Sequence, residues 1–230
     1  GATNQQQSLK YQTLVTPVGF AFAIWGPIFV LQGLFTVAQL LPGYRSDPEV
    51  HQGVGYWYVA ACVAQFGWTM SFAQDVVWLS MVFMLLILVS LGALLHSLGR
   101  VAHEALPRLH LRYVLLHAPF LLHFGWITAA TAVNVNVCIV KYATTNTQLQ
   151  LGAAVASIAL LLLPGLCNPP TLSARIGRVA SADPLYSLVL VWAFYGIHAE
   201  LAKPTLEGAL RSWCPPLVAG ALSGVAALMS

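Results

Sequence analysis

Between His117 and Asn136 the chain reads HAPFLLHFGWITAATAVNVN, and His123, Trp126, Ile127, Ala130 and Asn134 recur there at helical spacing. One helix face then presents an imidazole, an indole and an amide. An imidazole can serve as axial ligand to the metal of a tetrapyrrole. An indole gives a flat apolar wall with one donor, and an amide can orient a polar group. Ala129, Ala130 and Ala132 leave room beside them for a flat ligand or another backbone. The competing reading is mechanical: His123 and Asn134 bond to carbonyls of neighbouring helices and merely stitch the bundle. His117, two residues before Pro119, is read first as satisfying the carbonyl that the proline frees.

A second group, Trp192, Tyr195 and His198, stacks at i, i+3 and i+6 with Glu200 nearby, so Tyr195 and His198 could share an interior face. His96, His123 and His198 are the histidines within or near apolar runs and are the candidate axial ligands. None has a second metal ligand at conventional spacing, which argues against a closed zinc or di-iron site. Cys62, Cys138, Cys167 and Cys214 form no C-x-x-C and read as inert buried thiols. Asp75, Asp183, Glu200 and Glu207 fall at predicted helix ends, where acids serve as caps. The chain carries no G-x-S-x-G, P-loop or dinucleotide fingerprint, and a non-enzymatic role is expected.

The elements that must position these residues are set by composition. Of 230 residues, 58% are hydrophobic and 7% charged, against roughly 25% charged in a soluble domain. Several apolar runs approach or exceed the ~20 residues that span a bilayer as a helix, and period-2 alternation is missing. An all-α, polytopic transmembrane bundle of about 6–7 spans follows: 17–41, 54–73, 76–98, 111–140, 151–163, 183–202 and a short run to the C-terminus. The fourth run exceeds a bilayer core and must tilt, kink at Pro119 or project out. Asp75 is placed to cap the third span, and its two-residue loop makes the second and third spans antiparallel neighbours. Gly220 and Gly224 form a small-xxx-small face suited to helix packing.

Residues 1–16 form a polar tail before a single bundle over 17–230. The start at Gly1 has the look of a processed end, and the Gln-rich tail is expected to be pinned by the bundle or a neighbouring chain. The formal net charge of +3 is scattered, without a basic block for nucleic acid. Arg45, Arg100, Arg108, Arg112, Arg175 and Arg178 outnumber Lys10, Lys141, Lys203 and Arg211, which puts the C-terminus on the cytoplasmic, stromal or matrix side.

Three blocks, TPVGFAFAIWGPIFVLQGLFTVAQLLP (16–42), HAPFLLHFGWITAATAVNVNV (117–137) and DPLYSLVLVWAFYGI (183–197), resemble in order and spacing the tryptophan-rich sensory branch of the TspO/MBR translocator-protein family. The resemblance implies a bundle whose interior binds porphyrins and related hydrophobic ligands. It carries over to Trp25, Gly26, Pro27, Trp68, Pro119, Phe120, Trp126 and Asn134. Long-branch members usually begin with an extra hydrophobic helix, where this chain has the polar tail.

Two functions are therefore expected. The first is a sensor- or translocator-type membrane protein that binds porphyrin, haem, chlorophyll or a similar molecule through Trp25, Trp68, Phe120, His123, Trp126 and Asn134. The second is an accessory scaffold subunit of a large assembly, such as a photosystem–light-harvesting supercomplex, holding chlorophyll or carotenoid. Membrane lipid, a pigment, and other membrane subunits or a second copy are the expected partners. The expected location is an organellar membrane, thylakoid or other plastid or mitochondrial, reached after N-terminal processing.

Overall fold

The structure is a computed structural model and describes residues 6–7, 10–101, 111–143, 146–166, 183–203, 215–216, 218 and 220–221. Among them no strand occurs, and the chain is a helical bundle. A 3-10 segment Gly19–Ile24 leads into α1 (Trp25–Ala38). A single turn Pro42–Arg45 and a π-helical turn Glu49–Val54 precede α2 (Gly55–Ala73) and α3 (Val77–Val101). Then come α4 (Leu111–Leu116), α5 (Ala118–Tyr142), α6 (Thr147–Leu166) and α7 (Pro184–Leu201).

Gly19–Ala38, Val77–Val101 and Ala118–Tyr142 are each long and apolar enough to cross a membrane, and the protein is an integral membrane protein. The predicted fourth run breaks at His117, whose φ of −114° separates α4 from α5. Pro119 is the cause: it lacks an N–H and its ring collides with the preceding turn, so a new helix starts with proline in its first turn. The fifth span runs further than expected at both ends and passes Pro164. So near its end, the helix loses a hydrogen bond only from its last turn. Residues 167–182 and most of the predicted seventh span lie outside the described residues.

The central helix is α5, which packs against α1, α3, α6 and α7. In lipid there is little hydrophobic force between helices, so shape fit and internal hydrogen bonds hold them together. Three polar residues of α5 each reach a different helix. His123 Nδ1 meets Gln32 Nε2 of α1 at 2.7 Å, Asn134 meets Ser80 of α3 at 3.3 and 3.4 Å, and Asn136 Nδ2 donates to Ser157 Oγ of α6 at 2.8 Å. The stitching expected of this helix is present, made between side chains rather than to carbonyls of neighbouring helices. Helices α2 and α3 are joined by a tight turn in which Asp75 takes a left-handed φ of 66°. Asp75 therefore belongs to the turn and does not take the extended backbone of a cap.

One end of the bundle is closed by charge. Arg112 pairs with Asp47 at 2.7 Å and with Glu49 at 3.2 Å, joining the start of α4 to the π-helical turn. The His117 ring stacks on Tyr113 and lies 3.4 Å from Glu49, a pairing that replaces the carbonyl role expected of it. Tyr113 donates to both carboxylate oxygens of Asp183, which also accepts from Leu185 N at the start of α7. Asp183 is the cap the sequence predicted.

Candidate functional site

The opposite end of the bundle holds a cavity. Its walls come from the 3-10 segment and the start of α1 (Phe22, Trp25), the end of α2 (Trp68, Phe72), Met84 of α3, the second half of α5 and the end of α7 (Ala193, Ile197). On α5 the lining residues are Trp126, Ala129, Ala130, Val133, Asn134 and Val137, one face that begins with an indole and is otherwise short. The small side chains make the space, and the indoles bound it. Trp25 stands edge-on to Trp126 at 6.3 Å between centroids and tilted to Trp68 at 6.5 Å. Phe22 meets Trp126 edge-on at 5.8 Å, and Phe72 stacks on Trp68 at 5.3 Å. The cavity's empty space is ≈ 550 Å³, narrow between the rings. It is a slot between rings, and a bulky guest must move the rings apart.

Two residues of the lining carry polar groups. The Trp68 indole N–H is buried without a hydrogen-bond partner among the described residues. Asn134 is 3% exposed and is held only by its long contacts to Ser80. Both keep hydrogen-bonding capacity for a guest, and an orphaned donor in such a place is costly unless something meets it.

The segment before Gly19 lies across the cavity's end. Gln7 donates to Phe72 O at 2.8 Å, Gln12 to Glu200 Oε1 at 2.8 Å, and Val18 N to Gly196 O at 3.0 Å. Lys10 and Tyr11 both bond Asp75 Oδ2, at 2.7 and 3.0 Å, and Lys141 reaches Oδ1 at 3.0 Å. These bonds, with Lys10 foremost, hold the Asp75 carboxyl down at about 2, well below the usual carboxylate range. Lys10 shifts upward in return, mainly through its bond to Asp75. Pro17 lines the cavity directly, and Val15 is fully buried. The expectation that the polar tail is pinned by the bundle holds for its described residues. Close approach is allowed by Gly196, where a Cβ would lie 2.8 Å from that of Ala21 and 3.1 Å from that of Pro17.

The structure brings Trp25, Trp68, Trp126 and Asn134 to this one cavity, and it places the other expected residues elsewhere. Phe120 is fully buried in a separate aromatic trio with Phe35 and Tyr58, at 5.0 and 5.4 Å. Six residues before Trp126, it points about 120° away around the helix. His123 sits one turn from Trp126, edge-on to the Trp25 ring at 5.8 Å, and borders the groove between α1 and α2. The Gln32 amide meets Nδ1 at 2.7 Å, and Nε2 is buried without a partner among the described residues. His96 and His198 each bury an unpartnered Nδ1, and neither borders the cavity. Tyr195 is 52% exposed against Phe20 rather than turned inward beside His198, while Trp192 donates to Ala21 O at 2.9 Å and anchors the 3-10 segment. A Cβ on Gly220 would meet open space, and Gly224 lies outside the described residues, as do Cys167 and Cys214.

Sequence reasoning missed Phe22, Phe72, Met84 and the α7 wall, which look like ordinary lipid-facing apolar residues until the helices are assembled. It also missed Gln32, although a glutamine inside an apolar span is a legible signal. Among the described residues, no group of three His, Cys, Asp or Glu is placed to hold a metal ion.

No curated protein and no solved structure matches the chain. Residues 1–229 match the family described as TSPO-like protein, a match that covers all three resembling blocks. With a helical bundle, membrane-length apolar helices and this coverage, the chain belongs to the TSPO-like protein family.

Proposed function

We propose that this membrane protein binds a flat hydrophobic molecule of the tetrapyrrole class in the cavity between α1, α2, α5 and α7, and acts without catalysis as a sensor or translocator. The observation that carries the reading is the set of three indoles, Trp25, Trp68 and Trp126, around one slot with an orphaned indole N–H and a weakly held amide. Ring faces and edges would supply most of the affinity, and Trp68 Nε1 and Asn134 would fix the orientation of a carbonyl or carboxylate on the guest. The lining is made of indoles, phenyl and alkyl groups, a thioether and one amide, which bind by contact rather than by exchanging protons. The described histidines do not border it, so the reading favours a metal-free macrocycle, or one whose metal takes no ligand from this wall. The narrowness of the slot calls for movement of the rings or of the segment over its end when a macrocycle enters.

The test is titration of the purified protein with protoporphyrin while its tryptophan fluorescence is followed. Saturable quenching is expected, weakened about five-fold by Asn134→Leu through the loss of one hydrogen bond. Non-saturating quenching that is identical in wild type and variant would overturn the proposal.

A second reading, an accessory scaffold in a larger organellar assembly, draws on Gly220, a small residue facing open space. Extraction in mild detergent separates the two. A scaffold comigrates with a pigmented complex, whereas a free binding protein runs alone or as a dimer.

A further inference from the structure

A second concave site lies on the outside of the bundle, between α1 and α2, and its chemistry is unlike that of a lipid-facing seam. The groove is open to the outside of the bundle, unlike the indole-lined slot, whose own rings nearly fill it. Phe29 and Phe66 form its apolar rim, at 54% and 67% exposure. Between them the wall is polar. Thr36 and Thr69 donate to the carbonyls of Gln32 and Gln65 of their own helices, at 2.8 and 2.9 Å. A run of such groups facing hydrocarbon is costly unless something meets it.

Two of these groups are orphaned. His123 is 3% exposed, its Nδ1 is met by the Gln32 amide at 2.7 Å, and its Nε2 is buried without a partner among the described residues. Gln65, which lines the groove, has an Oε1 buried without a donor among the described residues. With the ring proton on Nε2, a single hydroxyl accepts from His123 and donates to Gln65. The groove follows α2 from Tyr58 to Thr69, eleven residues or about 16 Å at the helical rise. That shape suits a linear chain better than a rigid disc.

We propose that the α1–α2 groove is a second ligand site, for a membrane-dissolved long-chain alcohol, with its hydroxyl between His123 and Gln65 and its chain along Phe29 and Phe66. The site is separate from the indole-lined cavity. Trp25 stands between them, edge-on to His123 on one side and lining the cavity on the other. Occupancy of one is read independently of the other.

Cys62 lies in the groove and is exposed, which gives a native reporter. In nanodiscs, the full chain is photolabelled with a diazirine-bearing C16 alcohol and, in parallel, with the same chain lacking the hydroxyl. Alkylation of Cys62 by N-ethylmaleimide is followed with and without hexadecanol, with Cys138 as the internal comparison. The expected result is saturable labelling of the α1 and α2 peptides by the alcohol alone, and slower alkylation of Cys62 when hexadecanol is present. Gln65→Leu removes an oxygen that has no partner among the described residues, so it should leave thermal stability unchanged or improved while cutting saturable labelling about five-fold. Loss of labelling in this stable variant cannot be ascribed to misfolding. Equal labelling by alcohol and hydrocarbon, full labelling of Gln65→Leu, or Cys62 found against a second protein chain would each overturn the proposal. Protoporphyrin quenching should be the same with and without hexadecanol, so failure at one site is distinguishable from failure at the other.

Discussion

Replacing Asp75 by Asn should loosen the segment that crosses the cavity's end while leaving the bundle intact. Asn tolerates the left-handed φ of 66° that Asp75 adopts, so the turn between α2 and α3 keeps its shape and only the charge is lost. The charge is bonded by Lys10, Tyr11 and Lys141. The Lys10 pair, whose ammonium side chain is 53% exposed, is screened and adds little. Tyr11 keeps an acceptor on the amide and loses only the charge assistance, ~0.5 kcal/mol at a carboxylate that is 34% exposed, and the Lys141 pair contributes ~0.5 kcal/mol more. A loss of about 1 kcal/mol raises the open population about five-fold. Gln7, Gln12, Val15 and Pro17 still hold the segment, so it loosens without detaching. The reporter is the Val18 amide, bonded to Gly196 O at 3.0 Å across to α7. Its hydrogen exchange should quicken about five-fold in Asp75→Asn, with protoporphyrin entering faster. Unchanged exchange at Val18 in a normally folded variant would refute the reasoning and assign the closure to the burial of Val15 and Pro17 alone.

Acid should produce the same loosening. The Asp75 carboxyl is held at about 2 against an ordinary 3.8, so its contribution is fully present above pH 4 and is lost as pH falls toward 2; Val18 exchange, corrected for the intrinsic rate, measures it. Phe120→Ala should cost ~3–5 kcal/mol of stability by emptying the trio with Phe35 and Tyr58, yet leave protoporphyrin affinity within a factor of two to three; thermal melting and the quenching titration read the two effects separately. Gly196→Val should overpack α7 against Ala21 and Pro17 and cost ~1–3 kcal/mol, seen as a lowered melting temperature. Arg112→Met strands Asp47 and Glu49, which are 8% and 7% exposed, and should cost ~2–3 kcal/mol once the partly exposed guanidinium is allowed for; resistance to unfolding in a mixed-detergent titration checks it.

The helices were legible because lipid imposes length and hydropathy on anything that crosses it, and Pro119 and Asp183 marked real boundaries. The cavity was legible only where residues announce themselves. Trp126 and Asn134 stood out as an aromatic and an amide in an apolar run, whereas Phe72, Met84 and Ile197 are ordinary until three helices bring them together. His123 shows the limit most clearly. Its spacing from Trp126 places it on the expected face, but the Trp25 ring stands against it and Gln32 claims its Nδ1, so it serves the α1–α5 contact and the outer groove. Asp75 was read as a helix cap because local sequence cannot reveal that Lys10 and Lys141 meet it from 65 and 66 residues away.

The central claim is that the indole-lined slot receives a guest which meets the Trp68 N–H. Tryptophan labelled with 15N at the indole allows that proton to be observed directly in the detergent-solubilised protein. On addition of protoporphyrin, the Trp68 resonance should shift strongly and saturably, together with those of Trp25 and Trp126, while Trp57 and Trp78, 44% and 59% exposed on the outer surface, stay in place. A shift confined to Trp57 and Trp78, or none at Trp68 at saturating ligand, would contradict it.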